Sequence, residues 1–264
     1  MEMLELNGIY KTFNKGTVNE KTALCNLNLT LNDGDFVTVI GGNGAGKSTM
    51  LNMISGAYTA DSGSIFIDGV DVTKLPEYKR AKFLGRVFQD PMTGTAADMG
   101  IDENLALAAR RGKVRTLLPG VTSRERTMFK ELLSRLDLGL EDRITTKVGL
   151  LSGGQRQAIT LLMATLKKPK ILLLDEHTAA LDPATAEKVL NLTTELVDEH
   201  KITTLMITHN MKDAIHYGNR IIMMNKGQIV FDVSGEEKKN LTIEKLINKF
   251  SQDGVVNDRT LLQD

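Results

Sequence analysis

DFVTVIGGNGAGKSTMLNMISG (35–56) carries three signals in succession. DFVTVI (35–40) has strand length and is apolar at nearly every position, as a parallel strand covered on both faces requires. STMLNMISG (48–56) reads as a helix. Between them GGNGAGKST (41–49) matches G-x-x-x-x-G-K-[ST] through Gly41, Gly46, Lys47 and Ser48. Strand, glycine-rich loop and helix in this order make an anion cradle. The glycines let backbone N–H groups turn toward phosphate oxygens, and the helix adds its positive N-terminal end. Lys47 supplies a charge for the β- and γ-phosphates and Ser48 a hydroxyl for Mg²⁺, while Asn43, Gly44, Ala45 and Thr49 complete the nucleotide-contacting loop. A glycine-rich turn with an incidental lysine fits the letters but leaves the flanking strand and helix unexplained. The loop alone specifies nucleoside triphosphate binding, which kinases, GTPases, helicases and transport ATPases share.

Two further apolar runs, KILLLDE (170–176) and TTLMITH (203–209), repeat the strand pattern. ILLLD places Asp175 at the carboxyl end of a buried strand, where α/β sheets meet their ligands. There it suits a Mg²⁺ contact through water. Glu176 follows at once and is the candidate to polarise an attacking water, which turns binding into hydrolysis. Between these runs ATAEKVLNLTTELVDEH (184–200) has Val189, Leu192 and Leu196 at helical spacing, with Pro183 at the first turn. Strands alternating with helices predict an α/β fold in three layers.

MLELNGIYKTF (3–13) and RIIMMNKGQIVFDV (220–233), the latter a hairpin turning near Asn225, Lys226 and Gly227, read as antiparallel strands of a smaller β layer beside the parallel sheet. From 92 to 147 strand signals vanish. IDENLALAA (101–109) and SRERTMFKELLSRLDL (123–138) read as helices, the second with Met128, Leu132, Leu133 and Leu136 on one side, and together they predict an inserted helical subdomain. LTIEKLINKF (241–250) is a short amphipathic piece before a polar tail.

At 264 residues the chain is long enough for one domain with a subdomain. Lys plus Arg and Asp plus Glu both number 33, so no overall charge draws it to nucleic acid or anionic lipid. The densest basic run, RRGKVR (110–115), reads as a solvated loop. Cys25 is the only cysteine, which excludes an intramolecular disulfide or a multi-cysteine zinc site and is expected to be a buried thiol in a reducing cytosol. No stretch reaches the roughly 20 apolar residues that span a bilayer, so a membrane role has to come through a partner.

LSGGQ (151–155) precedes the apolar helical run RQAITLLMATL, which puts Ser152 and two glycines where a helix begins. With the phosphate loop, Gln89, ILLLDE, the LDP of Leu181 to Pro183, and His209, this order of motifs resembles the ATP-binding cassette (ABC) family over roughly residues 3 to 233. The resemblance implies a P-loop NTPase (RecA-like) core at 1–91 and 148–235 with an antiparallel β layer, a helical subdomain at 92–147, and a C-terminal helical tail at 236–264. It implies ATP and Mg²⁺ as cofactors and a head-to-tail dimer, with Ser152, Gly153, Gly154 and Gln155 of one subunit capping the γ-phosphate held by the other. His209 resembles the family's switch histidine, and Gln89 the glutamine that senses Mg²⁺ and the attacking water. Asp182 resembles the aspartate that links the two sites. Phe13 resembles the aromatic residue that stacks on adenine, a flat base for which a π-face is suited, with Tyr10 as the alternative. In DEHTAALDP, His177 and Ala179 stand where many members carry proline and serine.

What the resemblance implies functionally is the ATP-hydrolysing subunit of a transporter, peripheral at the cytoplasmic face of the membrane. Its partners would be transmembrane permease subunits meeting Gln89 to Thr93 and the helical subdomain, and a separate solute-binding protein. Import of a small solute such as an amino acid is favoured over export. An ABC ATPase acting on nucleic acid or ribosomes is the alternative from another class, disfavoured by the single phosphate loop, the lack of a long heptad run and the single cysteine. A cassette that binds ATP without turnover is disfavoured by the presence of Glu176, His209 and LSGGQ together.

Overall fold

The computed structural model describes residues 1–112 and 120–252, with side chains described through residue 249. Lys113 and Arg115 of the basic run, and the polar tail past 252, lie outside the described residues. The strands are β1 (Glu2–Phe13), β2 (Lys21–Asn32), β3 (Phe36–Ile40), β4 (Ser62–Ile67), β5 (Val70–Asp71), β6 (Leu84–Val87), β7 (Ile171–Asp175), β8 (Thr203–Ile207), β9 (Arg220–Asn225) and β10 (Gln228–Ser234). The α-helices are α1 (Lys47–Ser55), α2 (Glu77–Arg80), α3 (Ile101–Ala109), α4 (Ser123–Ser134), α5 (Gly153–Thr165), α6 (Pro183–His200), α7 (Met211–His216), α8 (Gly235–Lys239) and α9 (Ile243–Gln252).

Six strands form the main sheet in the order β10-β9-β3-β8-β7-β6, and four form a second sheet, β2-β1-β4-β5. From β9 to β6 all neighbours are parallel. All five residues of β3 and of β8 are buried, Thr38, Thr203 and Thr204 included, as strands covered on both faces require. One apolar cluster fills the space between the two sheets around Leu4, Leu24, Val39, Met50 and Leu173. A second lies on the opposite face of the main sheet, where Leu161 of α5 and Leu190 and Val197 of α6 cover Leu172 and Leu174. The chain is thus layered as antiparallel sheet, parallel sheet and helices.

The second sheet is antiparallel and contains β1, as expected. RIIMMNKGQIVFDV departs from the expectation. It forms the hairpin, but β9 joins the main sheet parallel to β3, with Val39 opposite Ile222, and β10 pairs with β9 at the sheet edge. The physical reason is two-sided burial: Ile221 to Met224 are buried in succession, whereas β10 alternates in exposure as an edge strand does.

In the 92–147 region Phe129 and Leu133 of α4 are buried against Ile101 and Leu105 of α3. The buried face of α4 is therefore turned from the one expected, with Met128 exposed and Leu132 and Leu136 only half-buried. Ile159 and Leu162 of α5 share this cluster, so α5 is covered by helices on one side and by the sheet on the other. Cys25, expected to be buried, is half-buried on β2.

Candidate active site

The parallel sheet explains why motifs far apart in sequence meet. Parallel neighbours end on the same edge, about 4.8 Å apart. β3 leads into Gly41, β8 into His209, β7 into Glu176 and β6 into Gln89. Val39 is opposite Ile207, Asp175 opposite Ile207, and Val87 opposite Leu174, so the four strand ends are level.

At β3 the chain turns through the phosphate loop into α1. Gly46 caps the helix in the left-handed region at φ 104°, where a Cβ would lie 2.6 Å from the carbonyl oxygen of Ala23. Both the dihedral and the close approach demand glycine. Lys47 is buried, and its Nζ donates to the carbonyls of Gly41 (2.6 Å) and Gly42 (3.2 Å), which places the ammonium in the curl of the loop. Asn43, Gly44 and Ser48 are exposed at its mouth, Thr49 is half-buried, and Ala45 is buried. Lys21 of β2 reaches this mouth as well: a Cβ on Gly44 would meet its Nζ at 3.3 Å.

Ser48 Oγ donates to Asp175 Oδ1 at 3.2 Å, joining the loop to the end of β7. Among the described residues no three His, Cys, Asp or Glu side chains are grouped to hold a metal. A hydroxyl and one carboxylate nevertheless fit Mg²⁺, which keeps most of its shell as water and substrate phosphate. Burial pushes the Asp175 carboxyl above its ordinary range, opposed chiefly by Arg86, whose Nη2 is 3.8 Å from Asp175 Oδ2. Glu176, in the left-handed region at φ 48°, is anchored by its N–H to the Ile207 carbonyl at 3.1 Å. Its Oε1 is 2.5 Å from Nε2 of His209. The strain of a non-glycine residue at positive φ is held in place by β8.

His177 is fully enclosed, with Nε2 3.2 Å from Thr193 Oγ1 of α6, and burial lowers its pKa to about 4. Asp182 caps α6, its Oδ1 accepting from Thr185 N at 3.1 Å, and this bonding holds its carboxyl below the usual range. Ser152 and Gln155 form a reciprocal capping box at α5, each side chain accepting from the other's backbone N–H at 3.2 Å. The Ser152 hydroxyl proton stays available to donate. Gly153 is exposed and Gly154 buried, where a Cβ would lie 2.1 Å from Thr185 Cγ2. Gln89 is exposed on the loop after β6, next to Phe88, whose carbonyl accepts from Gln157 Nε2 of α5 at 3.3 Å. Phe13 is half-buried with its ring edge-on to Tyr58 at 5.3 Å, and Tyr10 is more exposed. Arg86, Tyr58, Lys21 and Gln157 stand at the site without having been signalled by any motif; only the basic character of Arg86 and Lys21 was visible in the sequence.

Fold and loop together define a P-loop nucleoside triphosphatase. A family model described as ABC transporter matches residues 24–179. A tyrosine transport ATP-binding protein of Clostridioides difficile is 46% identical over 94% of this chain and 98% of its own length. A spermidine/putrescine import ATP-binding protein of Haemophilus ducreyi is 36% identical over 94% of this chain, which spans 64% of that longer protein. A dimeric ATP-binding cassette solved in a post-hydrolysis state with ADP and phosphate is 31% identical, with a TM-score of 0.75 over 88% of this chain and 98% of that one. A nucleotide-free cassette from an ABC transporter is 27% identical, with a TM-score of 0.76 over the full length of both. The chain belongs to the ABC transporter family as an ATP-binding subunit, and it is an ATPase. Among the described residues no helix is long and apolar enough to cross a membrane.

Proposed function

We propose that this subunit hydrolyses ATP to energise import of a small solute, such as an amino acid, through separate transmembrane subunits at the cytoplasmic face of the membrane. The observation that carries the hydrolytic part is the Glu176–His209 pair at 2.5 Å, anchored beside the phosphate loop. Lys47 and the loop N–H groups bind the β- and γ-phosphates, and Phe13 stacks on adenine. Ser48 and Asp175 would hold Mg²⁺, which would neutralise charge on the phosphate oxygens. Glu176 orients and deprotonates the attacking water, His209 fixes its carboxylate, and Gln89 lies on the loop leading to the helical subdomain.

The exposed N-terminus of α5, with Ser152 and Gly153, is an anion site that a second copy supplies in trans, so two ATP molecules close a head-to-tail dimer. Asp182 lies between the two sites. The solute class is supported by the tyrosine transport and polyamine import relatives, and by the match to nearly the whole length of the former. A separate solute-binding protein would deliver the cargo.

The first test is light scattering of Glu176→Gln with and without ATP, alongside phosphate release by both proteins. The expected result is a dimer that appears only with ATP and a loss of turnover of about 10²-fold or more. Turnover by Glu176→Gln equal to wild type would remove Glu176 as the base. Tyrosine uptake by vesicles carrying the subunit with its permease then tests the cargo.

A further inference from the structure

We propose that Arg86 is a built-in counter-cation of the Mg²⁺ site, holding the far side of Asp175 and setting how strongly nucleotide binding depends on the metal. Arg86 lies on β6, the edge strand beside β7. Its guanidinium is clamped from three directions. Nη2 donates to Asn52 Oδ1 at 2.8 Å and Nη1 to Ser55 Oγ at 3.0 Å, both on α1, and the cation lies 4.4 Å from the centre of the Phe88 ring. So fixed, Nη2 faces Asp175 Oδ2 at 3.8 Å while Ser48 holds Oδ1. The two carboxylate oxygens are divided between a permanent cation on one side and the metal side on the other.

A purely structural tie would not need a charge here. Arg86 and Asp175 are 13% and 15% exposed, and Arg86 Nε is buried with no hydrogen-bond partner among the described residues. A neutral side chain would link Asn52 and Ser55 without that desolvation. What only the cation provides is electrostatic: it favours an anion in the cradle when no metal is present and disfavours a second cation next to Asp175. Both effects act in one direction on one measurable ratio, the nucleotide Kd without metal divided by that with metal.

The experiment titrates a fluorescent ADP analogue into the full chain, in EDTA and in excess Mg²⁺, for wild type, Arg86→Gln, Arg86→Met and Arg86→Lys, with thermal melts to confirm folding. ADP avoids turnover. Removing the charge raises the ratio by about tenfold in the Gln and Met variants, and Lys keeps it within about twofold of wild type. Gln is neutral but polar and Met neutral and apolar, so one neutral variant remains informative if the other does not fold. Neutral variants that weaken both Kd values alike and leave the ratio unmoved would reduce Arg86 to packing and overturn the proposal, as would Lys behaving like Gln. The inference rests on the nucleotide-site reading above. Wild type that binds no ADP would sink that reading, whereas binding with an unmoved ratio sinks the role of Arg86 alone.

Discussion

Glu176 and His209 were each visible at the end of an apolar run, but their partnership was not, because 33 residues of sequence separation carry no information about strand adjacency. Adjacency of β7 and β8 supplies it. His177 stands where many family members carry proline, and the sequence alone gives it no role. In the fold it is a neutral imidazole sealed between β7 and α6 on Thr193. Its folded pKa of about 4 lies below the unfolded 6.5, so between those values the unfolded chain binds more protons and stability falls as pH falls. That contribution is fully present above pH 6.5 and amounts to a loss of about 1.5 kcal/mol between pH 6.5 and pH 5. His177→Gln keeps a partner for Thr193 and cannot titrate. Urea unfolding of both proteins at the two pH values is expected to show a smaller acid loss for the variant by that amount; equal slopes would mean that His177 is protonated in the folded state. Arg86 was illegible for a different reason: one arginine in a short edge strand reads as surface charge until the sheet order puts Asp175 next to it.

At the scale of elements, the strands were legible wherever burial on both faces wrote itself as a nearly continuous apolar run. RIIMM carried that same signal, and the hairpin turn after it concealed the fact that β9 belongs to the parallel sheet. The start of α5 was legible as a capped helix, but its two glycines looked alike. They differ in the fold. Gly153 has only Leu181 Cδ2 near the position of a Cβ, at 3.5 Å, an ordinary contact, whereas Gly154 is pressed on the first turn of α6 with Thr185 Cγ2 at 2.1 Å. Gly154→Ala is therefore expected to destabilise the isolated subunit by about 1–3 kcal/mol through overpacking. Thr185→Ser deletes the obstructing methyl, so the Gly154→Ala/Thr185→Ser double variant should regain most of the loss. Gly153→Ala should melt like wild type yet impair ATP-dependent dimerisation. Melting curves and light scattering separate the two, and a Gly154→Ala protein as stable as wild type would show that α5 and α6 can part at no cost.

At the scale of the whole molecule, the C-terminal helices bear on the site from behind. α7 begins two residues after His209, and its far end is gripped by α8: buried Lys238 donates from Nζ to the carbonyl of Tyr217 and, at 2.9 Å, to that of Gly218. Leu246 of α9 is fully buried in one cluster with Met211 and Ala214 of α7 and Ile40 at the end of β3. The helix that follows His209 is thus sandwiched between the sheet and the tail. The amphipathic period of 241–250 was legible, but the surface it covers was not, since nothing in the sequence linked it to α7. Lys238→Met keeps most of the side-chain volume and leaves two carbonyls without their donor, which should cost about 1–3 kcal/mol in urea unfolding. If α7 holds His209 in place, the same variant should lower kcat at saturating ATP while the Kd for ADP stays within about twofold, because the phosphate loop hangs from β3 and is built without Lys238. A loss of stability with kcat unchanged would confine the tail to structural support. A loss of nucleotide affinity equal to the loss of kcat would mean that the disturbance reaches the loop through Ile40 rather than His209 through α7.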